Sequence, residues 1–461
     1  MRKPKSGFLT DPKAKDNSPS IKLEDGSRVA VMGGGPAGSL FAYFLLDLAR
    51  KVDLELEVDV FEPRNFSLAG PAGCNMCAGI VSESLVQNLA VEGINLPPTV
   101  IQRGMDSYVV HTPTGFTRLE TPQLERRIGV VYRGAGPLGI KDNEWSSFDG
   151  FLLDQAVNKG ATLISKRVDE VNRDADGRLL VKPRGGSPES YDLLAVAAGV
   201  NTSALKLFQP LNTAFKQPET VRTFVREYYL GRDAIERYLG EHTIHFFLLN
   251  ISGMDFAAIV PKGDYVTIAL LGEKMDDETC ELFLDSPQVK ATMPPGWTSE
   301  GYACHCSPRI NQTGALHPYA DRMVFIGDTA VSRLYKDGIG AAYRAAKYAA
   351  AAAVFHGIGE KDFQLYFWSS YHNMEYDNLM GKIVFAFSGL FKPRRFASEA
   401  LIRMMVSEQP KPASQRRMSS FIWNMCTGSA PYREILFGAF HPAFWSRFLW
   451  YLGLSLVRSG R

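Results

Sequence analysis

Three glycines near the start of the sequence constrain the fold more than any other feature. They lie in the hexapeptide Gly-Gly-Gly-Pro-Ala-Gly at residues 33–38, between an apolar run at 27–32 and a stretch at 39–50 with apolar residues at helical spacing. This order predicts a strand, a tight turn and a buried helix. Such a turn lets a pyrophosphate approach the backbone, and the helix N-terminus attracts it. The predicted phosphate site consists of Gly33, Gly35, Pro36, Ala37 and Gly38.

An acidic residue at the end of the next predicted strand supports this interpretation. The strand at residues 56–61 is followed directly by Glu62. A carboxylate there can accept a hydrogen bond from a ribose 2′-hydroxyl and would repel a 2′-phosphate. Glu62 lies 29 residues after Gly33, a longer interval than usual, which a longer helix or turn around residues 51–55 would explain. The alternative interpretation is a glycine-rich turn that binds no ligand.

The composition limits the class of protein. With 461 residues, of which 45% are hydrophobic and 22% charged, the chain can bury a large core in more than one lobe. Six cysteines are too few for a disulfide framework in a chain of this length, which favours a reducing, cytoplasmic setting. The start of the chain is polar and has no apolar run, so residues 1–25 are predicted to form a disordered tail rather than a signal peptide.

Later segments predict further strands and a helical end. The runs at residues 193–198 and 323–326 are apolar throughout, as expected of buried parallel strands. Residues 224–230, 243–250 and 265–271 predict antiparallel strands of a sheet that covers a ligand. Beyond residue 340 the pattern is mostly helical.

Three segments resemble a group of FAD-binding proteins that includes p-hydroxybenzoate hydroxylase and the geranylgeranyl reductases. Residues 325–330 are similar to the strand ending in Gly-Asp, where the aspartate binds the FAD ribose. Residues 337–342 are similar to the start of the helix that faces the flavin, and residues 197–202 to a strand end that packs on the cofactor. By this resemblance the residues that bind FAD include Gly33, Gly35, Pro36, Ala37, Gly38, Glu62, Gly327, Asp328, Gly338, Ile339 and Gly340.

The resemblance also implies a fold and a division of the chain. The expected fold class is α/β, a Rossmann-type FAD-binding fold with an inserted antiparallel-sheet substrate domain and a helical C-terminal region. The expected FAD-binding domain comprises residues 26–90, 130–205 and 300–358. The substrate-binding domain comprises residues 91–129 and 206–299, and the helical region residues 359–461.

Within that group the sequence most resembles the geranylgeranyl reductases. Residues 77–82 are similar to their Cys-Gly loop after the second strand, and residues 256–264 to their Pro-Lys-Gly turn. The first similarity implies that Cys77 faces the substrate and is the candidate catalytic residue. These enzymes carry an arginine shortly before a Phe-Asp pair. In this sequence the pair is Phe148 and Asp149, and the arginine is absent, with Trp145 near its place.

The cysteines leave three interpretations open. Cys74 and Cys77, with Cys304 and Cys306, could hold zinc or an iron–sulfur centre if two loops brought four thiolates together. A pair of them could instead exchange electrons with a flavin. On the third interpretation they are ordinary thiols beside the substrate cavity. We assign no residue as a metal ligand.

The C-terminal region differs in charge from the rest of the chain. Residues 380–461 carry 12 Lys and Arg against 3 Asp and Glu, a net charge of +9, whereas the residues before them sum to −7. Within this region residues 436–454 are rich in aromatic side chains, but Pro442 interrupts them and Arg447 lies among them. The pattern predicts either a segment at an anionic membrane surface or a buried helical cap or dimer surface with a solvated basic face. Because the segment lies outside the cofactor motifs, its deletion is expected to leave the flavin bound.

The residues and the resemblance together predict an FAD-dependent oxidoreductase that transfers hydride to or from a hydrophobic, isoprenoid or lipid-like substrate. The sequence has no second Gly-x-Gly-x-x-Gly that opens a predicted helix, so an external electron donor or acceptor is expected as a partner. One alternative is an oxygen-using monooxygenase or halogenase with the same cofactor. Another is an electron-transfer flavoprotein that uses the cysteines. The expected location is cytoplasmic with membrane association, and no nucleic acid partner is expected.

Overall fold

The computed structural model describes residues 21–75, 78–123, 126–140 and 145–459. Most of the predicted N-terminal tail, residues 1–20, lies outside these ranges, whereas Leu23 is buried against the core. Within the described ranges the chain forms parallel and antiparallel sheets followed by a helical C-terminal region, which confirms the predicted mixed α/β class.

Strands and helices alternate in the first part of the chain, and helices dominate its end. The strands are β1 (Ser27–Met32), β2 (Leu56–Phe61), β3 (Ile80–Ser82), β4 (Ile101–Met105), β5 (Ser107–Thr112), β6 (Gly115–Glu120), β7 (Ile128–Val131), β8 (Thr162–Ile164), β9 (Val168–Arg173), β10 (Leu179–Pro183), β11 (Glu189–Tyr191), β12 (Leu193–Val196), β13 (Thr220–Arg222), β14 (Phe224–Tyr229), β15 (Thr243–Phe247), β16 (Phe256–Lys262), β17 (Tyr265–Leu271), β18 (Cys304–Cys306), β19 (Arg309–Asn311), β20 (Tyr319–Ala320) and β21 (Met323–Phe325). The α-helices are α1 (Pro36–Lys51), α2 (Glu83–Val91), α3 (Phe148–Lys159), α4 (Arg232–Ala234), α5 (Asp277–Leu284), α6 (Pro287–Thr292), α7 (Gly338–Phe355), α8 (Glu360–Asp362), α9 (Ser369–Tyr371), α10 (Asn373–Phe391), α11 (Arg395–Glu408), α12 (Arg417–Cys426), α13 (Tyr432–Ala439) and α14 (Pro442–Ser459).

A six-stranded sheet forms around β1, in the order β20-β21-β12-β1-β2-β8. β1 pairs in parallel with β2 and β12, so that Met32 lies opposite both Phe61 and Val196. β8 and β21 continue the parallel ladder, and β20 joins β21 in an antiparallel pair. The parallel strands predicted from continuous apolar runs are therefore present. Their carboxyl ends meet at one edge of the sheet, which is where ligands bind in sheets of this kind.

Helices α1 and α7 cover one side of this edge. The first ten residues of α1 are buried, because apolar side chains surround the helix. α7 is alanine-rich, and its small side chains let the two helices approach closely. Phe44 on α1 meets the ring of Tyr343 on α7 edge to face, with ring centroids 5.6 Å apart. The packing fixes the N-termini of both helices near the carboxyl ends of the strands.

A seven-stranded sheet has the order β18-β14-β17-β16-β15-β5-β6. Its central strands β14 to β17 are antiparallel neighbours, while β5 joins β15 in parallel. β14, β15 and β17 are predicted from the sequence, whereas β16 lies in the segment that the resemblance describes as a turn. The edge strand β18 pairs with β14 and so brings Cys304 opposite Glu227. Three smaller sheets (β11-β10-β9, β3-β7-β4 and β13-β19) accompany the two large ones.

The C-terminal helices pack on one face of the seven-stranded sheet. The ring of Trp423 in α12 meets that of Tyr108 in β5 at 4.8 Å, and Trp423 is almost completely buried. In α14, Phe444 and Phe448 are buried in the same core, next to α11. The aromatic segment therefore has a buried face, as one of its two interpretations requires. No helix in the described ranges is both long enough and apolar enough to cross a membrane.

Candidate functional site

The turn between β1 and α1 is closed by contacts of the backbone with itself. The N–H of Gly33 donates to the carbonyl of Phe61 over 2.9 Å, at the end of the neighbouring strand. A Cβ atom on Gly38 would overlap the carbonyl oxygen of Gly33, so only glycine permits the helix to begin this close to the strand. Pro36 occupies the first turn of α1, where a missing N–H costs nothing.

Gly35 is different, because no contact with the residues that the structure describes requires a glycine there. Its φ of −69° and ψ of −177° are open to any residue, and a Cβ atom would lie 3.4 Å from the side-chain nitrogen of Asn75, an ordinary contact. Gly35 is also the N-cap of α1, a position where serine or aspartate would stabilise the helix better than a residue without a side chain. The first turn of α1 carries no acidic residue. Space is thus kept open at a helix N-terminus that attracts anions.

Glu62 lies beside this turn and is buried. One carboxylate oxygen accepts the N–H of Gly34 and the other accepts the N–H of Arg64, both over 2.8 Å. Burial raises the pKa of Glu62, and these two backbone hydrogen bonds oppose that rise. Each carboxylate oxygen can accept a further hydrogen bond, so Glu62 can bind a ribose hydroxyl without giving up its place in the turn.

The Gly-Asp segment after β21 packs against the same turn. A Cβ atom on Gly327 would lie 2.6 Å from the Cβ of Ala37. Residue 327 must therefore be a glycine for the chain to pack this closely on the first turn of α1. The next residue, Asp328, is partly buried. Burial raises its pKa, while a hydrogen bond from Ser332 and the charge of Arg133 lower it. The two predicted FAD segments, separated by almost 300 residues, are thus adjacent.

The N-terminus of α7 completes this region. A Cβ atom on Gly338 would lie 3.3 Å from the hydroxyl of Ser332, the residue that also bonds Asp328. Asp337, just before the helix, accepts hydrogen bonds from Arg333 and Arg344 over 2.9 and 2.8 Å. The structure therefore brings the residues predicted to bind the cofactor to one place. Those residues are Gly33, Gly35, Pro36, Ala37, Gly38, Glu62, Gly327, Asp328, Gly338, Ile339 and Gly340.

A buried ion pair next to this region is not evident from the sequence. Asp149 on α3 is fully buried, and both of its oxygens are bonded by the guanidinium of Arg133. Asn75 also donates to Asp149, and Arg64 donates to Asn75. The resemblance predicts an arginine next to Phe148 in sequence, whereas Arg133 precedes Asp149 by 16 residues and reaches it through the fold.

The pair makes a direct prediction for stability. Arg133→Ala is expected to lower the free energy of unfolding by about 3–5 kcal/mol, because it leaves a buried carboxylate without its counter-charge. The control is Arg127→Ala, which removes an exposed pair with Glu83 and is expected to cost about 1 kcal/mol or less. Urea unfolding followed by circular dichroism measures both. Equal effects of the two substitutions would contradict the assignment of Arg133 as the partner of Asp149.

A cavity that opens to solvent lies between this region and the edge of the seven-stranded sheet. Its walls include Cys74, Tyr132, Arg133, Lys262, Cys304 and Cys306. Burial raises the pKa of Cys304 to about 11, so its thiol is protonated at neutral pH. Among the residues that the structure describes, no group of three or more side chains is placed to hold a metal ion. Cys77 lies outside the described residues, and its catalytic role stays a prediction.

Two buried charges in the cavity wall are likewise not anticipated by the sequence. Lys262 is only 1% exposed, and its ammonium lies 4.0 Å from a carboxylate oxygen of Glu227. Thr267 donates its hydroxyl to Glu227 over 2.8 Å. Burial raises the pKa of Glu227, and the charge of Lys262 opposes the rise. A Cβ atom on Gly79 would lie 2.9 Å from the Lys262 nitrogen, so this lysine borders the loop that contains Cys77.

Comparisons with known proteins agree with this arrangement. No family model matches the sequence. The geranylgeranyl diphosphate reductase of Synechocystis sp. is 26% identical over 254 residues, so the match spans only about half of each protein, 52% of this chain and 54% of the relative. A geranylgeranyl bacteriochlorophyll reductase-like protein from Thermoplasma acidophilum superposes with a TM-score of 0.61 at 16% identity, over 84% of this chain and 92% of that one.

A flavin-dependent brominase superposes with a TM-score of 0.55 at 15% identity, over 93% of both chains. At these identities the structural matches show the fold alone. The chain resembles the geranylgeranyl reductase branch of FAD-dependent oxidoreductases, as its motifs predict.

Proposed function

We propose that this protein is an FAD-dependent oxidoreductase that acts on a hydrophobic, isoprenoid or lipid-like substrate. The observation that carries the proposal is the open space at Gly35. The glycines at positions 38 and 327 are explained by contacts within the chain, whereas only an approaching ligand explains the one at the N-cap of α1. A pyrophosphate fits that space, because it is anionic and binds backbone N–H groups at helix N-termini.

The remaining residues fit the other parts of FAD. The turn at residues 33–38 would hold the pyrophosphate, and Glu62 would accept a hydroxyl of the adenosine ribose. Asp328 and the N-terminus of α7 would hold the flavin half, with Ser332 linking the two. When bound, the isoalloxazine supplies hydride transfer. The chain itself orients the cofactor, excludes water and provides the cavity bordered by Lys262 and Glu227.

The substrate class rests on the relative and on the cavity together. The Synechocystis relative is named for geranylgeranyl diphosphate, an isoprenoid with a charged end. In this chain three charged side chains, Arg133, Lys262 and Glu227, line the cavity and are suited to the polar end of such a molecule. Electrons would come from or go to an external partner.

The purified chain is expected to contain noncovalent FAD, about one per chain, because its motifs form one dinucleotide site. The visible spectrum of the purified protein measures the flavin, and chromatography of the boiled supernatant identifies it. Recovery of NAD without flavin would overturn the proposal. Iron–sulfur absorbance beside the flavin bands would instead favour an electron-transfer flavoprotein.

A second candidate is an oxygen-using monooxygenase or halogenase. The superposition with the flavin-dependent brominase, which covers 93% of both chains, favours it specifically. Rapid mixing of the photoreduced protein with oxygen separates the two candidates. Fast oxygen uptake with a product that carries oxygen or halogen supports the second candidate, and a reduced product formed without oxygen supports the first.

A further inference from the structure

The C-terminal helices expose an unusual number of large apolar side chains. Phe437 in α13 and Phe440, directly after this helix, are 68% and 65% exposed, and Trp450 in α14 is 66% exposed. We call this surface the exposed apolar face; it consists of Phe387, Leu390, Phe437, Phe440, Leu449 and Trp450. On the opposite side of α14, Phe444 and Phe448 are buried in the core. α14 is thus apolar on two faces, and the part of the chain that the structure describes covers only one of them.

Two of these six side chains border the same apolar cleft. Phe387 and Phe440 both line an apolar cleft between α10, α11, α12, α13 and α14 that opens to solvent, and both are exposed at its mouth. Leu390 follows Phe387 by one helical turn, and Phe437 precedes Phe440 by one turn. Leaving this much apolar surface in water is unfavourable by about 25 cal/mol per Å². Exposed patches of this kind mark interaction sites.

Basic residues surround the face. Arg394 and Arg395 are exposed and follow Phe391, whose ring lies 5.4 Å from that of Phe448. On another side, Arg447 and Arg417 flank the start of α14; Arg417 lies 3.3 Å from the ring nitrogen of His441.

Few acidic residues offset this positive charge. Of the three acidic residues after position 380, Glu408 is fully buried and accepts the N–H groups of Met418 and Ser419. Glu399 is paired with Arg403, and Glu434 is the third of these acidic residues. The net charge of +9 in residues 380–461 is therefore carried mainly at the surface.

We propose that the exposed apolar face docks on the surface of a bilayer with anionic headgroups and turns the mouth of the cleft towards the acyl chains. Aromatic side chains with flanking arginines are suited to the boundary between headgroups and acyl chains. Each basic residue near an anionic surface adds about 1 kcal/mol. A second copy of the chain is a poorer partner, because pairing this face with itself would bring two regions of like charge together. The inference does not depend on the flavin or on the reaction.

The test uses the full chain and sedimentation with two kinds of vesicle. One kind contains phosphatidylcholine alone and the other contains phosphatidylcholine and phosphatidylglycerol in equal parts. The chain is expected to sediment with the anionic vesicles and not with the neutral ones, and added salt should weaken the binding. Trp450→Glu is expected to lower the partition coefficient about tenfold or more, because it places a carboxylate in the interface.

A matched control and a fold check complete the test. Val91→Glu changes an apolar side chain that is 85% exposed at the end of α2, outside the C-terminal helices, and is expected to leave vesicle binding unchanged. Circular dichroism of both variants checks the fold. Two outcomes would overturn the proposal. One is a full-length chain that binds neither kind of vesicle. The other is a dimer in analytical ultracentrifugation that Trp450→Glu dissociates, which would assign the face to a second copy.

Discussion

Gly38→Ala is expected to lower the free energy of unfolding by about 3 kcal/mol or more, whereas Gly35→Ala leaves the fold intact and lowers FAD affinity about tenfold or more. At Gly38 the new methyl group would overlap the backbone of Gly33. Gly33 cannot retreat, because it already lies against the carbonyl of Ala197. At Gly35 the methyl group meets nothing closer than 3.4 Å in the chain and would occupy the space assigned to the pyrophosphate.

Thermal unfolding of the flavin-free protein and titration with FAD measure the two effects separately. The contrast is informative because the substitutions are chemically identical and only three residues apart. If Gly35→Ala bound FAD as tightly as the parent protein, the space at the N-cap of α1 would not be a phosphate site. If Gly38→Ala were as stable as the parent protein, the contact between α1 and β1 would be too loose to require a glycine.

Deleting residues 431–461 is expected to prevent stable folding and to remove the flavin. Tyr432 is fully buried and donates its hydroxyl to the carbonyl of Leu334 over 2.6 Å, and the N–H of Arg433 donates to Asp377. Phe444 and Phe448 are lost from the core as well. Each of these three large buried side chains contributes about 3–5 kcal/mol, so that together they are worth as much as the net stability of about 5–15 kcal/mol that is typical of a protein.

The sequence leads to the opposite expectation, that deleting the C-terminal segment leaves the flavin bound, because the segment lies outside the cofactor motifs. Leu334 lies four residues before the N-terminus of α7, so disturbing it disturbs the region assigned to the flavin. Size-exclusion chromatography and the flavin content of the truncated chain measure the effect. The control is deletion of residues 456–461, the first two of which have exposed side chains, and this deletion is expected to be tolerated. A soluble truncated chain with full flavin would show that α13 and α14 are an appendage.

The sequence predicts the parallel strands and the glycine turn because both have local signatures. β1, β12 and β21 are short, mainly apolar runs, and such runs are typical of strands buried on both faces, whereas β2 alternates apolar with acidic residues and ends at Glu62. The turn at residues 33–38 is specified by glycines whose spacing follows from the backbone geometry it imposes. No long-range information is needed for either.

Other parts of the site depend on contacts that the sequence does not encode locally. Arg133 and Asp149 are separated by a loop, and nothing in their neighbourhood indicates that they meet. Lys262 and Glu227 lie in different strands, where a charged residue normally points to solvent, and only the fold buries them. α14 is aromatic on both faces, so its pattern could not indicate which face packs on α11.

The strand order of the parallel sheet affects how the chain can fold during synthesis. β1 and α1 are made first, but β12 and β21, which complete their side of the sheet, follow about 160 and 290 residues later. At roughly 5–20 residues per second the ribosome needs tens of seconds to supply them. During that time the apolar side chains of α1, including Leu40 and Phe41, lack the cover that α7 later provides. The newly made chain is therefore expected to engage chaperones until α7 has emerged, and to complete this sheet late in translation.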